Sequence, residues 1–206
     1  MNTHADPPPI GPPSLPLRSE RAPDAPEVIR QWLATAHDVP TQARAEWTDQ
    51  GVALLPLGRR FAAIRIPGAL IHAAADSDTP DLVADTVREA LDGPVIHDHL
   101  TTGPTYYALV AHGRGLRWLG ANDTPLLTTG TYLGVPALDR TTPPGTHWVT
   151  PPRHRNDLCP HGRVFDLILA GRRALRATAP ETPNPEPLKA ADHTSGTSNR
   201  QRSASC

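Results

Sequence analysis

The stretch from residue 51 to residue 100 reads GVALLPLGRRFAAIRIPGALIHAAADSDTPDLVADTVREALDGPVIHDHL. Its first part, Val52-Ala53-Leu54-Leu55-Pro56-Leu57, is a short apolar run ended by Gly58. That pattern predicts a buried strand with Pro56 near its end. Phe61-Ala62-Ala63-Ile64-Arg65-Ile66, closed by Pro67-Gly68, predicts a second strand. Ala69 to Ala75 reads as one or two helical turns. Thr79-Pro80-Asp81 then combines a cap, a proline at the first helical position and an acid in the first turn, which predicts a helix start. Leu82, Val83, Val87, Ala90 and Leu91 form one face of that helix, and Gly93 closes it. Val95 to His99 predicts a third strand. Strand, strand, helix, helix, strand is not the regular alternation of a doubly wound sheet. The fold class is therefore α+β, a small mixed β-sheet packed with helices.

The same reading extends outward on both sides. Pro26 suits the first turn of a helix from Glu27 to Ala36, with Val28, Trp32 and Leu33 on its apolar face. A short helix is predicted at Thr41–Trp47. Further strands are predicted at Tyr106–Ala111, Thr131–Val135 and His147–Thr150. A last helix is predicted from Val164 to Arg176, with Phe165, Leu167, Ile168 and Leu169 inside. Before this region, residues 1–26 hold Pro7-Pro8-Pro9, Pro12-Pro13, Pro16, Pro23 and Pro26, with few large apolar side chains to offset the entropy of ordering. Residues 178–206 repeat that character with Pro180, Pro183, Pro185 and Pro187, then a Ser/Thr/Asn/Arg stretch. Both read as disordered tails around one α+β domain at 27–177, a length able to bury a single core. Pro9 and Pro12 give a PxxP spacing, which makes the first tail a candidate arm for a protein partner.

Composition excludes several classes. The chain has 206 residues, 25 prolines and a formal net charge of −1, which argues against binding a polyanion by bulk charge. Lysine occurs only at Lys189, so arginine supplies nearly all of the 20 basic residues, a skew of coding bias rather than function. No apolar run approaches the roughly 18 residues of a membrane-spanning helix. Two cysteines exclude a disulfide scaffold. Met1 to Pro9 has no basic segment followed by an apolar one, which predicts a cytoplasmic protein with reduced thiols.

Few stretches could carry chemistry. In His97-Asp98-His99, residues two apart on a strand share a face, so both imidazoles could meet one metal. Cys159-Pro160-His161 could complete a zinc site, although the spacing matches no standard zinc pattern. Asp76-Ser77-Asp78 could hold Mg²⁺, but acids are expected there from the dipole of the following helix alone. Arg59-Arg60 follow the first strand and Gly58, and could meet a phosphate. From Arg153 to Arg176 six arginines face only Asp157 and Asp166, so Arg153, Arg155 and their neighbours could track a nucleic-acid backbone. The alternative is an arginine-rich helix with its apolar face on the sheet. Of Tyr106 and Tyr107, one ring should face inward and the other outward, where it could stack on a base. Walker, GxSxG and HExxH motifs are absent.

Taken in order, these stretches form a pattern: GVALLPLG and Arg59-Arg60 at 51–60, GPTYYALV at 103–110, TGTYLGVPALDR at 129–140, and PGTHWVTPP at 144–152. The pattern resembles the bifunctional DNA primase/polymerase N-terminal domain of the archaeo-eukaryotic primase class, in a short, degenerate actinobacterial form. That family's strand and glycine-basic turn correspond to Gly51–Leu57 and Gly58-Arg59-Arg60. Its later strands correspond to Gly103–Val110, Gly130–Leu138 and Thr146–Trp148. The resemblance implies two catalytic metals, Mg²⁺ or Mn²⁺, held by a DxD or DxE strand end. Here that strand end is His97-Asp98-His99, with one carboxylate. The family's next histidine falls near Tyr106 or Tyr107, and its later aspartate is missing from Pro125–Thr129. Two-metal catalysis needs several carboxylates.

The resulting expectation is a primase/polymerase-like domain that lacks the full acid set and binds single-stranded nucleic acid or nucleotide without catalysis. Arg59, Arg60, the outward tyrosine of the 106–107 pair, Arg153 and Arg155 would line its groove. The alternative is a protein-interaction module with proline-rich arms and no active site.

Overall fold

The computed structural model describes residues 22–100, 103–113 and 118–178. Of the tails read as disordered, 1–26 and 178–206, residues 1–21 and 179–206 lie outside the described residues, as does the PxxP arm. Residues 22–26 and 178 are described, with Asp24 N donating to Arg153 O at 2.9 Å and with Pro26 and Thr178 inside helices. Two helices come first, α1 (Pro26–Ala34) and α2 (Pro40–Gln50), each with proline in its first turn. Strands β1 (Val52–Pro56) and β2 (Ala62–Pro67) follow, then α3 (Gly68–Ala75), α4 (Pro80–Leu91), β3 (Val95–Leu100) and β4 (Gly103–Val110). The rest is β5 (Leu126–Leu127), β6 (Tyr132–Pro136), β7 (His147–Thr150) and α5 (His161–Thr178). The fold is α+β, with both sheets wholly antiparallel.

The main sheet has five strands in the order β5-β2-β4-β3-β7, and β1 pairs with β6 in a separate two-stranded sheet. Alternation along the main sheet sorts its side chains into two cores. Ile64 and Ile66 of β2, Val95 of β3, and Tyr106, Ala108 and Val110 of β4 face α3, α4 and α5, meeting Leu70, Ile71, Val87, Leu91, Val164 and Ile168. Ala63, Ile96, Tyr107 and Leu109 face the other way, onto Ile29, Trp32 and Leu33 of α1, Trp47 of α2, and Leu55 and Val135 of the small sheet. The main sheet is thus covered on both faces, and its central strand β4 is buried from Thr105 to Val110. Among the described residues no helix is long and apolar enough to cross a membrane.

Several local expectations change once the layers are known. Val28 and Leu82, read as core, are 37% and 55% exposed; Ile29 takes the buried position in α1, and Val83, Val87 and Leu91 hold the inward face of α4 as expected. Phe165 and Leu169 are half-buried, and the face of α5 that packs is Val164, Leu167, Ile168 and Gly171. The first strand is not buried throughout: Leu54 is exposed because the small sheet has only one covered face. Thr79 precedes α4 without a side-chain cap bond, and Asp92, not Gly93, is the left-handed residue that ends it. The two-residue strand β5 is too short to leave a sequence signal, and pairs Leu126 and Leu127 with Ile64 and Ala63.

Candidate functional site

The β1–β2 turn positions the first two candidates. Gly58 has φ +86°, and a Cβ there would lie 2.5 Å from the Thr129 backbone nitrogen, so the close approach admits only glycine. Gly58 N donates to Phe61 O at 2.8 Å, which folds the turn and throws Arg59 and Arg60 outward. They part there. Arg59 pairs with Asp38. Arg60 makes no ion pair among the described residues and lines an open cavity of about 480 Å³.

The β7–α5 loop brings Arg155 to the same cavity. Its backbone is held by two aspartates. Asp157, 3% exposed, accepts from Arg153 N at 2.8 Å and from Arg153 Nε at 3.1 Å. Asp24 Oδ2 accepts from Arg155 N at 3.0 Å, and Arg155 Nε lies 3.6 Å from it. Arg153 also reaches Asp92 Oδ1 at 2.9 Å. The bond from Asp157 first, and that from Asp92, hold its guanidinium well above the usual arginine value. Arg153 therefore clamps its own loop, and is not among the residues that line the cavity with Arg155.

The third wall is α1, through Glu27, Val28, Gln31 and Trp32. Trp32 is 8% exposed, its ring 5.9 Å from that of Phe61, and its indole Nε1 is buried without a partner among the described residues. The other three indoles all have one: Trp47 donates to Val135 O at 2.8 Å, Trp148 to Pro136 O at 3.0 Å, and Trp118 to Thr124 O at 2.6 Å. A buried donor left unpaired costs about 1–3 kcal/mol. The sequence reading missed this wall because Trp32 sits at a core-periodic position, and periodicity does not say whether an indole N–H finds an acceptor.

Tyr106 and Tyr107 point to opposite faces as alternation requires, but neither ring is available for a base. They are 5% and 8% exposed, because helices cover one face and the α1–α2 layer covers the other. Burial pushes the Tyr106 phenol up to about 12 and raises Tyr107 as well.

The histidine strand forms a separate cluster. His97 pairs across the ladder with Tyr106 on one side and His147 on the other. Its ring centroid lies 4.9 Å from each. His72 of α3 lies 3.1 Å from the Tyr106 hydroxyl. His147 Nδ1 lies 2.8 Å from Gly145 O, an acceptor only, so Nδ1 carries the proton and donates. His97 Nδ1 is buried with no partner among the described residues. Burial first, then the charges of His147 and His99, lower the His97 value to about 4. Asp98 turns to the opposite face and accepts from Thr146 Oγ1 at 3.0 Å, so His97, Asp98 and His99 do not converge. Cys159 is buried, and its thiol lies 3.4 Å from Pro94 O. Burial lowers His161, whose Nε2 has no partner among the described residues. Among the described residues no group of three or more His, Cys, Asp or Glu is placed to hold a metal ion. The donor set thus does not fit the two-metal centre that the primase resemblance implies, with Asp98 as the lone carboxylate of its strand.

No protein-family model, curated protein or solved structure matches the chain.

Proposed function

We propose that the protein is a non-catalytic binder of nucleotide or single-stranded nucleic acid, primase/polymerase-like in its order of motifs, and that the cavity between α1, the β1–β2 turn and the β7–α5 loop receives the ligand. The observation that carries this reading is the convergence of Arg60 and Arg155, distant in sequence, on one open cavity against α1. Guanidinium groups suit phosphate oxygens because their planar fork matches the acceptor geometry.

The test is equilibrium binding of the full chain to a labelled single-stranded oligonucleotide and to nucleotides at low salt. Both single variants, Arg60→Ala and Arg155→Ala, should weaken binding, Arg60→Ala by about tenfold or more, and the double variant further. Each arginine removed from a phosphate should also flatten the salt dependence, by about 0.7 for a single strand. Absence of binding by the unaltered protein at low salt overturns the reading.

A second reading, the protein-interaction module, draws on Leu54 and Tyr132. Both stand on the outer face of the small sheet, 55% and 59% exposed, next to Val52 and Pro56. It predicts no nucleotide affinity, and loss of a protein partner in the variant Leu54→Asp.

A further inference from the structure

We infer that the Trp32 cavity selects a small ligand carrying one phosphate, the class of a nucleoside monophosphate, rather than a run of nucleic-acid strand. The inference rests on the reading above that this cavity binds nucleotide or nucleic acid, and it narrows the ligand.

Size is the first argument. The cavity holds about 480 Å³, inside the roughly 300–1,000 Å³ of small-molecule sites, which is room for one nucleotide. Charge is the second. Arg60 is uncommitted among the described residues, while Arg155 shares its charge with Asp24, whose carboxylate is 12% exposed. Between them they balance about one phosphate, not a series. The Glu27 carboxylate stands on the same wall, 68% exposed and paired with Arg30. Among the described residues that wall therefore offers no uncommitted cation to a second phosphate. A strand-binding groove carries the reverse pattern, with basic groups along the backbone track.

The remaining lining groups suit a base or sugar. Val28 and the Trp32 ring supply apolar surface, and the Gln31 amide supplies both donor and acceptor. Gln31 lies on the turn of α1 that also carries Val28, so the polar and apolar parts of the wall come from one rigid element. A phosphate reached by Arg60 from the β1–β2 turn and by Arg155 from the β7–α5 loop would be held from two independent supports.

The test is calorimetric titration of the full chain at low salt with adenosine 5′-monophosphate, adenosine, inorganic phosphate, and a ten-residue single strand without a terminal phosphate. The monophosphate should bind with one site per chain, and adenosine, phosphate and the strand each at least tenfold more weakly. Arg60→Ala, a change at an exposed turn position, should reduce monophosphate binding tenfold or more and leave adenosine unchanged. Gln31→Ala removes the exposed amide from the wall and should weaken both the monophosphate and adenosine. A strand that binds as tightly as the monophosphate overturns this inference and leaves the broader reading standing. Phosphate that binds as tightly as the monophosphate overturns it in favour of a plain anion site. Failure of every ligand overturns the broader reading itself.

Discussion

His97 shows how a single side chain acquires properties its residue type does not have. A free histidine titrates near pH 6.5, whereas burial and the neighbouring imidazoles hold His97 at about 4. The folded state therefore keeps His97 neutral, and between about 4 and 6.5 the unfolded chain binds the extra proton. This contribution to stability is complete above pH 6.5, falls as pH drops toward 4, and is flat below it. For a half-buried group, solvent screening leaves about 1–2 kcal/mol of it. Denaturation at a series of pH values should show the decline in the unaltered protein and a flatter profile in His97→Gln. Parallel profiles would remove His97 from the account. The sequence reading placed His97 correctly on a strand. It did not foresee that His147 and Tyr106 flank it, because both pairings are long-range. For the same reason it assigned one tyrosine of the 106–107 pair to solvent: alternation gives opposite faces, and only the layers say that both faces are covered.

At the scale of elements, helix and strand identities were largely legible, and their inward faces less so. Proline at the first turn announces α1 and α4, and short runs bounded by turn residues announce β2, β3 and β4. The contact of α3 with α5 was not legible. A Cβ at Gly171 would lie 2.1 Å from Leu70 O, so the two helices cross with backbone against side-chain-free backbone. Nothing local distinguishes this glycine from a weak spot in an arginine-rich helix. Gly171→Ala should force the helices apart and cost about 1–3 kcal/mol, the usual range for overpacking. For a domain of this size that is a fall of roughly 2–4 °C in Tm per kcal/mol, measured by thermal unfolding. An unchanged Tm would mean that α5 shifts freely on α3.

The whole molecule ties the cavity to its core through one buried carboxylate. Asp157 fixes Arg153, Arg153 reaches Asp92 at the end of α4, and the same loop presents Arg155 to the cavity. Asp157→Ala leaves the Arg153 amide and guanidinium without their main acceptor, and should cost about 1–3 kcal/mol by chemical denaturation. It should also weaken monophosphate binding, although Asp157 does not line the cavity, because Arg155 loses a fixed support. Full retention of binding together with reduced stability would show that Asp24 alone positions Arg155. Sequence by itself determined the class of fold, the order of elements and the charged residues available, since periodicity, prolines and turn glycines act locally. Tertiary structure alone decided which arginines are spent on aspartates, that both tyrosines are covered, and that Arg60 and Arg155 meet on one cavity. Those outcomes depend on contacts between residues far apart in the chain, and the local pattern around each residue carries no record of its distant partner.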